Sequence, residues 1–498
     1  MKSSKRVLWA VCAACAATGC VDRTMRFRRF RLVRAVAVCV VTAGVPLLGA
    51  SAVFAQSTWN VAGDGNWNVA GNWTPSGVPN STTVGVLIDG NPENDVTVTL
   101  NMNASVRDLT LDAGDALHIS SGQTLTMHGD VTNDGEIYLN PTAASSSARF
   151  AADTDLELTG TGRLVLGRDG FASYILPSPG KTLTQRADHT IEGIGRIDVH
   201  LVNQGTVRAD ASLGSGSTLD LLNIVKTNHG QFSAVNGGTL HVHSGVLTNY
   251  DAGTATLSGG TYEVVGDSTM RLVGLNVQTL DAAVSLSGAR AGLYNVATGT
   301  TSALAGLTTI TAAGSLSVSD SASVSFSAVD NAGLLGGTGT FVGTINNAGP
   351  LSPGDSTGTL SITGDVFNTA EGLLLIEVAG SGAGEFDTLN VTGTYEVDGT
   401  LLVRFLPGSE DLLSSDLLTI VDTSSLVQSG ETLAFSRTLV ELSGDYDVLY
   451  DQSAGLMQLT GFQNIVPIPE PSAGLMLLAA CLVLAISRRR AKVRENAY

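Results

Sequence analysis

Apolar residues alternate with polar ones along the middle of this 498-residue chain. Between residues 109 and 139 the large apolar side chains fall on odd-numbered positions: Leu109, Leu111, Leu117, Ile119, Leu125, Met127, Val131, Ile137 and Leu139. A period of two is typical of β-strands that bury one face. The Gly, Asn, Asp and Ser residues that interrupt the alternation favour tight turns. The pattern therefore predicts many short strands, each with one buried face.

Similar units recur at residues 154–167, 237–249 and 313–327, and no amphipathic helix separates them. We therefore predict an all-β fold, a right-handed parallel β-helix or solenoid, over residues 96–365 with coils of about 20 residues. Stacked coils bury one continuous apolar column, and each coil satisfies the backbone hydrogen bonds of its neighbours. The alternative is an array of β-sandwiches, although sandwich strands are usually longer than these.

The segments on either side of the repeats have their own patterns. Residues 366–463 show longer alternating strands, which predict a small antiparallel β domain that caps the last coil. Residues 56–95 contain Trp59, Trp67 and Trp73. These tryptophans favour an N-terminal cap that buries the rings, and the alternative is an exposed patch that stacks on sugar rings.

Three short motifs lie in the second half of the chain: GGTGT at 336–340, SPGD at 352–355 and DTLNV at 387–391. With the strands around them they resemble the autotransporter-associated β-strand repeat of large surface proteins. The resemblance implies a surface architecture and brings no shared catalytic residues. The resemblance therefore indicates the class of fold but does not indicate whether the protein has an enzymatic activity.

The C-terminal segment combines a polar motif, an apolar run at residues 473–487 and a basic cluster. The motif is Pro469, Glu470 and Pro471, and the cluster is Arg488, Arg489 and Arg490. A helix over the apolar run reaches about 22 Å, less than the roughly 30 Å hydrocarbon core. Residues 464–498 resemble the PEP-CTERM sorting signal. This implies transient insertion in the inner membrane and cleavage by an exosortase, and the alternative is a permanent transmembrane anchor.

The N-terminal region predicts export. Five arginines follow Met25, an apolar run covers residues 35–52, and the small-residue site ends at Ala55. This order is typical of a secretory signal peptide, here residues 25–55, cleaved after Ala55 and handled by the Sec machinery. Residues 1–24 are interpreted as an extension or a mis-assigned start, and the alternative is lipidation at Cys20.

The composition of residues 56–470 excludes several classes of function. This region has no cysteine, which excludes disulfides, cysteine metal sites and thiol catalysis there. It has 13 Lys and Arg against 43 Asp and Glu, a net charge of −30. Such an acidic surface repels nucleic acid, so no nucleic-acid partner is expected.

The sequence predicts no catalytic residue, metal site or cofactor. His241 and His243 flank one inward residue and share a strand face, as two metal ligands would, but no third ligand is evident at a useful spacing. The predicted function is that of a non-enzymatic structural or adhesin-like protein of the cell surface or exopolysaccharide matrix of a Gram-negative-type bacterium. The alternative is a β-helical polysaccharide lyase or hydrolase that uses carboxylates from neighbouring coils.

Overall fold

The computed structural model describes residues 55–89, 94–141, 146–167, 173–222, 224–428, 433–441 and 443–467. Strands in the first part are β1 Ala55–Trp59, β2 Gly65–Asn66, β3 Trp73–Thr74, β4 Val84–Ile88, β5 Thr97–Leu100, β6 Ala104–Val106, β7 Leu109–Leu111, β8 Ala116–Ile119, β9 Thr124–Met127, β10 Val131–Asn133, β11 Glu136–Leu139, β12 Ala148–Ala152, β13 Leu156–Thr159, β14 Arg163–Gly167 and β15 Ser173–Pro177.

The middle part contains β16 Thr182–Gln185, β17 Thr190–Ile197, β18 His200–Asn203, β19 Thr206–Asp210, β20 Thr218–Leu221, β21 Lys226–Asn228, β22 Gln231–Val235, β23 Thr239–Val242, β24 Tyr250–Asp251, β25 Thr256–Val265, β26 Thr269–Leu272, β27 Thr279–Ser287, β28 Gly292–Tyr294, β29 Thr309–Ile310 and β30 Ser315–Ser319.

The last part contains β31 Ser323–Asn331, β32 Leu334–Gly337, β33 Thr340–Asn347, β34 Pro350–Pro353, β35 Thr359–Thr363, β36 Val366–Asn368, β37 Leu373–Val378, β38 Thr388–Val397, β39 Thr400–Phe405, β40 Leu418–Gln428, β41 Arg437–Glu441, β42 Ser443–Asp451 and β43 Leu456–Val466. Single 3-10 turns lie at Ala70–Asn72, Ala211–Leu213 and Ser409–Asp411. Within the described residues no helix is long and apolar enough to cross a membrane.

Strands β4 to β23 follow one another over three faces in turn, with the long strand β17 spanning the second and third faces. The first face stacks β4, β7, β10, β13, β16, β18 and β21. The second stacks β5, β8, β11, β14, β17, β19 and β22, and the third stacks β6, β9, β12, β15, β17, β20 and β23. All these pairings are parallel. The described part of the chain is thus all-β with long parallel sheets, as expected of a β-solenoid.

The register between coils keeps the inward positions aligned. On the first face Val86 pairs with Leu109, Leu109 with Val131, and Val131 with Leu158. All nine apolar residues that the alternation between 109 and 139 identified are at most 1% exposed. The period-two prediction of the core is confirmed, because parallel in-register stacking superimposes equivalent side chains of successive coils.

Buried asparagines join coils at one corner of the stack. Asn203 Nδ2 donates to Asn228 Oδ1 at 2.8 Å, and the backbone N–H of Asn228 donates to Asn249 Oδ1 at 2.7 Å. The exposed fractions of Asn203 and Asn228 are both 0%. An amide can accept from one coil while it donates to the next, so a stack of amides satisfies polar groups that a turn would otherwise bury unpaired.

The glycines of the GGTGT motif allow two coils to approach closely. Gly337 has φ +106°, and a Cβ there would lie 2.0 Å from the carbonyl oxygen of Val318. A Cβ at Gly339 would lie 2.4 Å from the carbonyl oxygen of Ala322. Only glycine fits at these positions without displacing the neighbouring backbone.

The prediction of an antiparallel domain over residues 366–463 is wrong for most of that segment. Strand β37 pairs in parallel with β39, β38 with β40, and β39 with β41. Antiparallel ladders at this end join β43 to β40 and to β42, and Val378 at the end of β37 forms a single antiparallel bridge with Phe386. The longer strands arise because β38 pairs with both β35 and β36 and its pairing with β40 is interrupted by a bulge, so one strand turns a corner instead of ending there.

Candidate functional site

The residues predicted to direct sorting lie outside the described residues. This applies to Pro469, Glu470 and Pro471, to the apolar segment 473–487, and to Arg488, Arg489 and Arg490. Ala55, the predicted signal cleavage site, is exposed and is the first residue of β1. Those predictions are therefore carried by sequence alone.

The three tryptophans of the N-terminal segment form one buried aromatic cluster. The ring centroids of Trp59 and Trp73 are 5.0 Å apart, and those of Trp67 and Trp73 are 4.8 Å apart. Trp67 Nε1 donates to the carbonyl oxygen of Pro79 at 2.9 Å. All three residues are at most 3% exposed. The rings therefore offer no free face for sugar stacking, and the glycan-stacking hypothesis is wrong for this conformation.

A ladder of polar and aromatic residues follows the outer side of the third face. It consists of residues that share one register position on successive coils: Arg149, Tyr174, Arg196, Asp220, His241, Arg271 and Tyr294. The Arg196 guanidinium lies 5.9 Å from the centre of the Tyr174 ring, and that of Arg271 lies 5.6 Å from the centre of the Tyr294 ring. The ladder thus concentrates cations and imidazoles in a chain that is otherwise strongly acidic.

Asp220, His241 and His243 meet at the middle of this ladder. Asp220 Oδ1 lies 3.0 Å from His241 Nδ1 and 3.2 Å from His243 Nε2. The two imidazole rings stack with centroids 4.2 Å apart. Burial alone would raise the pKa of Asp220, but the contacts with both imidazoles outweigh it and hold that pKa below its usual value. Asp220 is the third potential metal ligand beside the two histidines, and the sequence did not reveal it.

A groove of about 710 Å³ lies on the outer side of the second face. Arg163 bridges two carboxylates there, with Nη2 2.5 Å from Glu136 Oε2 and Nη1 3.0 Å from Glu192 Oε1. Arg208 Nη1 lies 3.4 Å from the second oxygen of Glu192. Both carboxylates are thus neutralised by guanidinium groups from neighbouring coils.

The electrostatics of this groove are unfavourable for acid catalysis. The contact with His118 and the charge of Arg163 hold the pKa of Glu136 below its usual value despite partial burial. A general acid of a glycosidase needs a raised pKa. Glu136 is therefore a poor proton donor. The carboxylate of Glu192 forms ion pairs with Arg163 and Arg208.

The DTLNV motif begins with a buried carboxyl group. Asp387 Oδ1 accepts from the backbone N–H of Gly358 at 2.9 Å, and Oδ2 accepts from that of Glu377 at 2.7 Å. Burial, with the nearby Glu377 carboxylate, raises the pKa of Asp387 well above its usual value. Arg404 Nη1 lies 2.7 Å from Glu377 Oε1. Because Asp387 is completely buried and bonded to two backbone segments, its role is to hold the loop after the SPGD motif.

One known protein family matches part of the chain. The family described as Domain of unknown function (DUF8693) matches residues 58–147, which include the tryptophan cluster and the first coils. No curated protein matches the chain. The match identifies a shared segment, and its description assigns no activity.

Proposed function

We propose that this chain is an exported, non-enzymatic structural or adhesin-like protein of the cell surface or exopolysaccharide matrix. In this proposal the Sec machinery exports it, the segment 473–487 inserts transiently in the inner membrane, and an exosortase cleaves near Pro469, Glu470 and Pro471. The coils form a right-handed β-helix. The resemblance of both the tail and the repeats to surface proteins supports this assignment.

The observation that carries the proposal is the regular stacking of coils with an apolar interior. Parallel pairing joins coils from β4 to β41, and residues as far apart as Ile88 and Val403 are 0% exposed. Each coil is bonded to its neighbours, so the stack is an extended scaffold whose stability comes from repeated local contacts. The acidic exterior keeps such a scaffold soluble outside the cell.

The enzymatic alternative requires free carboxylates, and the groove on the second face provides bridged ones. The discriminating experiment incubates the purified protein with a panel of acidic and neutral polysaccharides and measures reducing ends and unsaturated sugars. The proposal expects neither product. Release of either one would contradict it, and loss of that release in both Glu136→Gln and Glu192→Gln would assign the activity to the groove.

A further inference from the structure

We propose that Asp220, His241 and His243 bind one divalent transition-metal ion of the Zn²⁺ type. This site is independent of the proposed surface role, because it depends only on the geometry of the third face. Two imidazole nitrogens and one carboxylate oxygen form a donor set that suits zinc, cobalt, nickel or copper better than calcium or magnesium.

The topology explains why these three side chains converge. His241 and His243 are separated by one inward residue, so both point outward from the same face of β23 and its end. Asp220 is the in-register partner of His241 on the preceding coil. Two histidines and one carboxylate from adjacent parallel strands thus come together. Their positions are set by the backbone, which the packing of the core holds in place.

The two distances from Asp220 Oδ1 to the imidazole nitrogens are close to those of a tetrahedral site. Metal–ligand bonds of about 2.0–2.1 Å place neighbouring ligand atoms about 3.3 Å apart. Asp220 Oδ1 lies 3.0 Å from one imidazole nitrogen and 3.2 Å from the other, and the three ligand atoms lie within 4.8 Å of one another. A metal ion can therefore replace the protons that the imidazoles share with this oxygen with only small side-chain movements.

The flanking cations leave the shared oxygen to the imidazoles. Arg196 approaches the other carboxylate oxygen, with Nε 3.9 Å from Asp220 Oδ2. Arg271 Nη1 donates to the carbonyl oxygens of Val296 at 3.2 Å and Gly299 at 2.9 Å. These hydrogen bonds direct the Arg271 guanidinium toward the following coil. Its positive charge nevertheless lowers the affinity of the Asp220, His241 and His243 cluster for a metal cation.

Solvent can reach the site, so metal can enter without unfolding. The side chain of His243 is 36% exposed, and those of His241 and Asp220 are each 17% exposed. Three protein ligands leave a coordination position for water or an external group, which is typical of open rather than purely structural zinc sites.

The test is isothermal titration of the untagged full-length protein with Zn²⁺ after chelator treatment, at a pH at which histidine is neutral. The protein should bind one more equivalent than either His243→Gln or Asp220→Asn, or those variants should bind that equivalent at least about tenfold more weakly. The control is His128→Gln, because His128 Nδ1 lies 3.6 Å from Asp153 Oδ2 and forms a single imidazole–carboxylate pair. This variant should bind as the wild type does.

Comparing variants removes any contribution from the five cysteines of the full chain, which all proteins in the series share. Co²⁺ provides a second readout, since nitrogen and oxygen ligation in a low-coordinate site gives visible absorption that should disappear in His243→Gln. His243 is the most exposed of the three, so its variant tests the site even where a His241 variant fails to fold. Equal Zn²⁺ binding and equal Co²⁺ spectra in wild type, His243→Gln and Asp220→Asn would overturn the proposal.

Discussion

Asn331 Nδ2 donates a 2.8 Å hydrogen bond to Asn347 Oδ1, although the two residues belong to different coils. Asn347 in turn donates to Asn368 Oδ1 at 3.0 Å. Asn331 and Asn347 also occupy paired positions on β31 and β33. The coils are therefore joined by hydrogen bonds between side chains as well as between backbone strands. Both kinds of bond fix the position of each coil relative to the next.

Replacing Asn347 with Ala should destabilise the coils around it by about 1–3 kcal/mol, since two buried amides then lose a partner. Hydrogen exchange followed by mass spectrometry over residues 331–368 measures the effect as lost protection. The matched control is Asn346→Ala, because Asn346 is exposed and its side chain bonds to Asp330 Oδ1 at 2.8 Å, outside the buried amide stack. Equal protection in the two variants would contradict a stabilising role for the amide stack.

Gly337→Ala should destabilise the coils that contain the GGTGT motif by about 1–3 kcal/mol. The left-handed backbone opposes a side chain there, and so does the Val318 carbonyl oxygen, which would lie 2.0 Å from the added Cβ. Urea unfolding checks this against Gly77→Ala, where a Cβ would meet nothing within 4 Å. A Gly337 variant as stable as the Gly77 variant would refute this explanation of the motif.

Trp67→Ala should destabilise the N-terminal segment by about 3–5 kcal/mol, because it leaves a cavity and removes the hydrogen bond to Pro79. Reduced hydrogen-exchange protection in β4 and β7 is the expected readout. Val69→Ala is the control, since Val69 is 45% exposed.

Addition of polysaccharide should leave the tryptophan emission of the wild type unchanged. A shift in that emission would support the stacking hypothesis.

His189 should make stability depend on pH. Burial lowers its pKa to about 4 from an ordinary 6.5, and its Nε2 lies 3.0 Å from Asn133 Nδ2. The unfolded chain therefore binds more protons between pH 6.5 and 4, so the free energy of unfolding falls as pH decreases through this window, by about 3 kcal/mol in total.

Urea unfolding of wild type and His189→Leu at several pH values measures this contribution. The variant should lose part of the slope between pH 6.5 and 4, whereas His229→Asn, at an exposed position, should keep it. Identical slopes in wild type and His189→Leu would exclude His189 as the titrating group.

The interior was predictable from sequence because its signal is local. Leu117 and Ile119 flank His118 in one strand, and alternation alone assigns the first two to the core and the third to the surface. The predicted burial of the Trp67 ring also agrees with the structure, because large aromatic rings need a core when they are not part of a binding surface.

The candidate metal site was not predictable because it depends on which coils are neighbours. Asp220 precedes His241 by 21 residues, whereas equivalent positions elsewhere, such as Val131 and Leu158, are 27 apart. Loops of variable length between strands conceal the register, so no fixed spacing identifies Asp220 as the partner. The same absence of a fixed period led to the misassigned domain boundary at residue 366.

Mass mapping of the C-terminus of surface material tests the central claim, that this stacked-coil protein is sorted to the cell surface by its tail. Cells with an exosortase should yield a protein that ends near Pro469, Glu470 and Pro471 and lacks residues 473–498. Glu470→Ala should block this processing, whereas Glu495→Ala should not. A surface protein that still extends to Tyr498 in those cells would contradict the account.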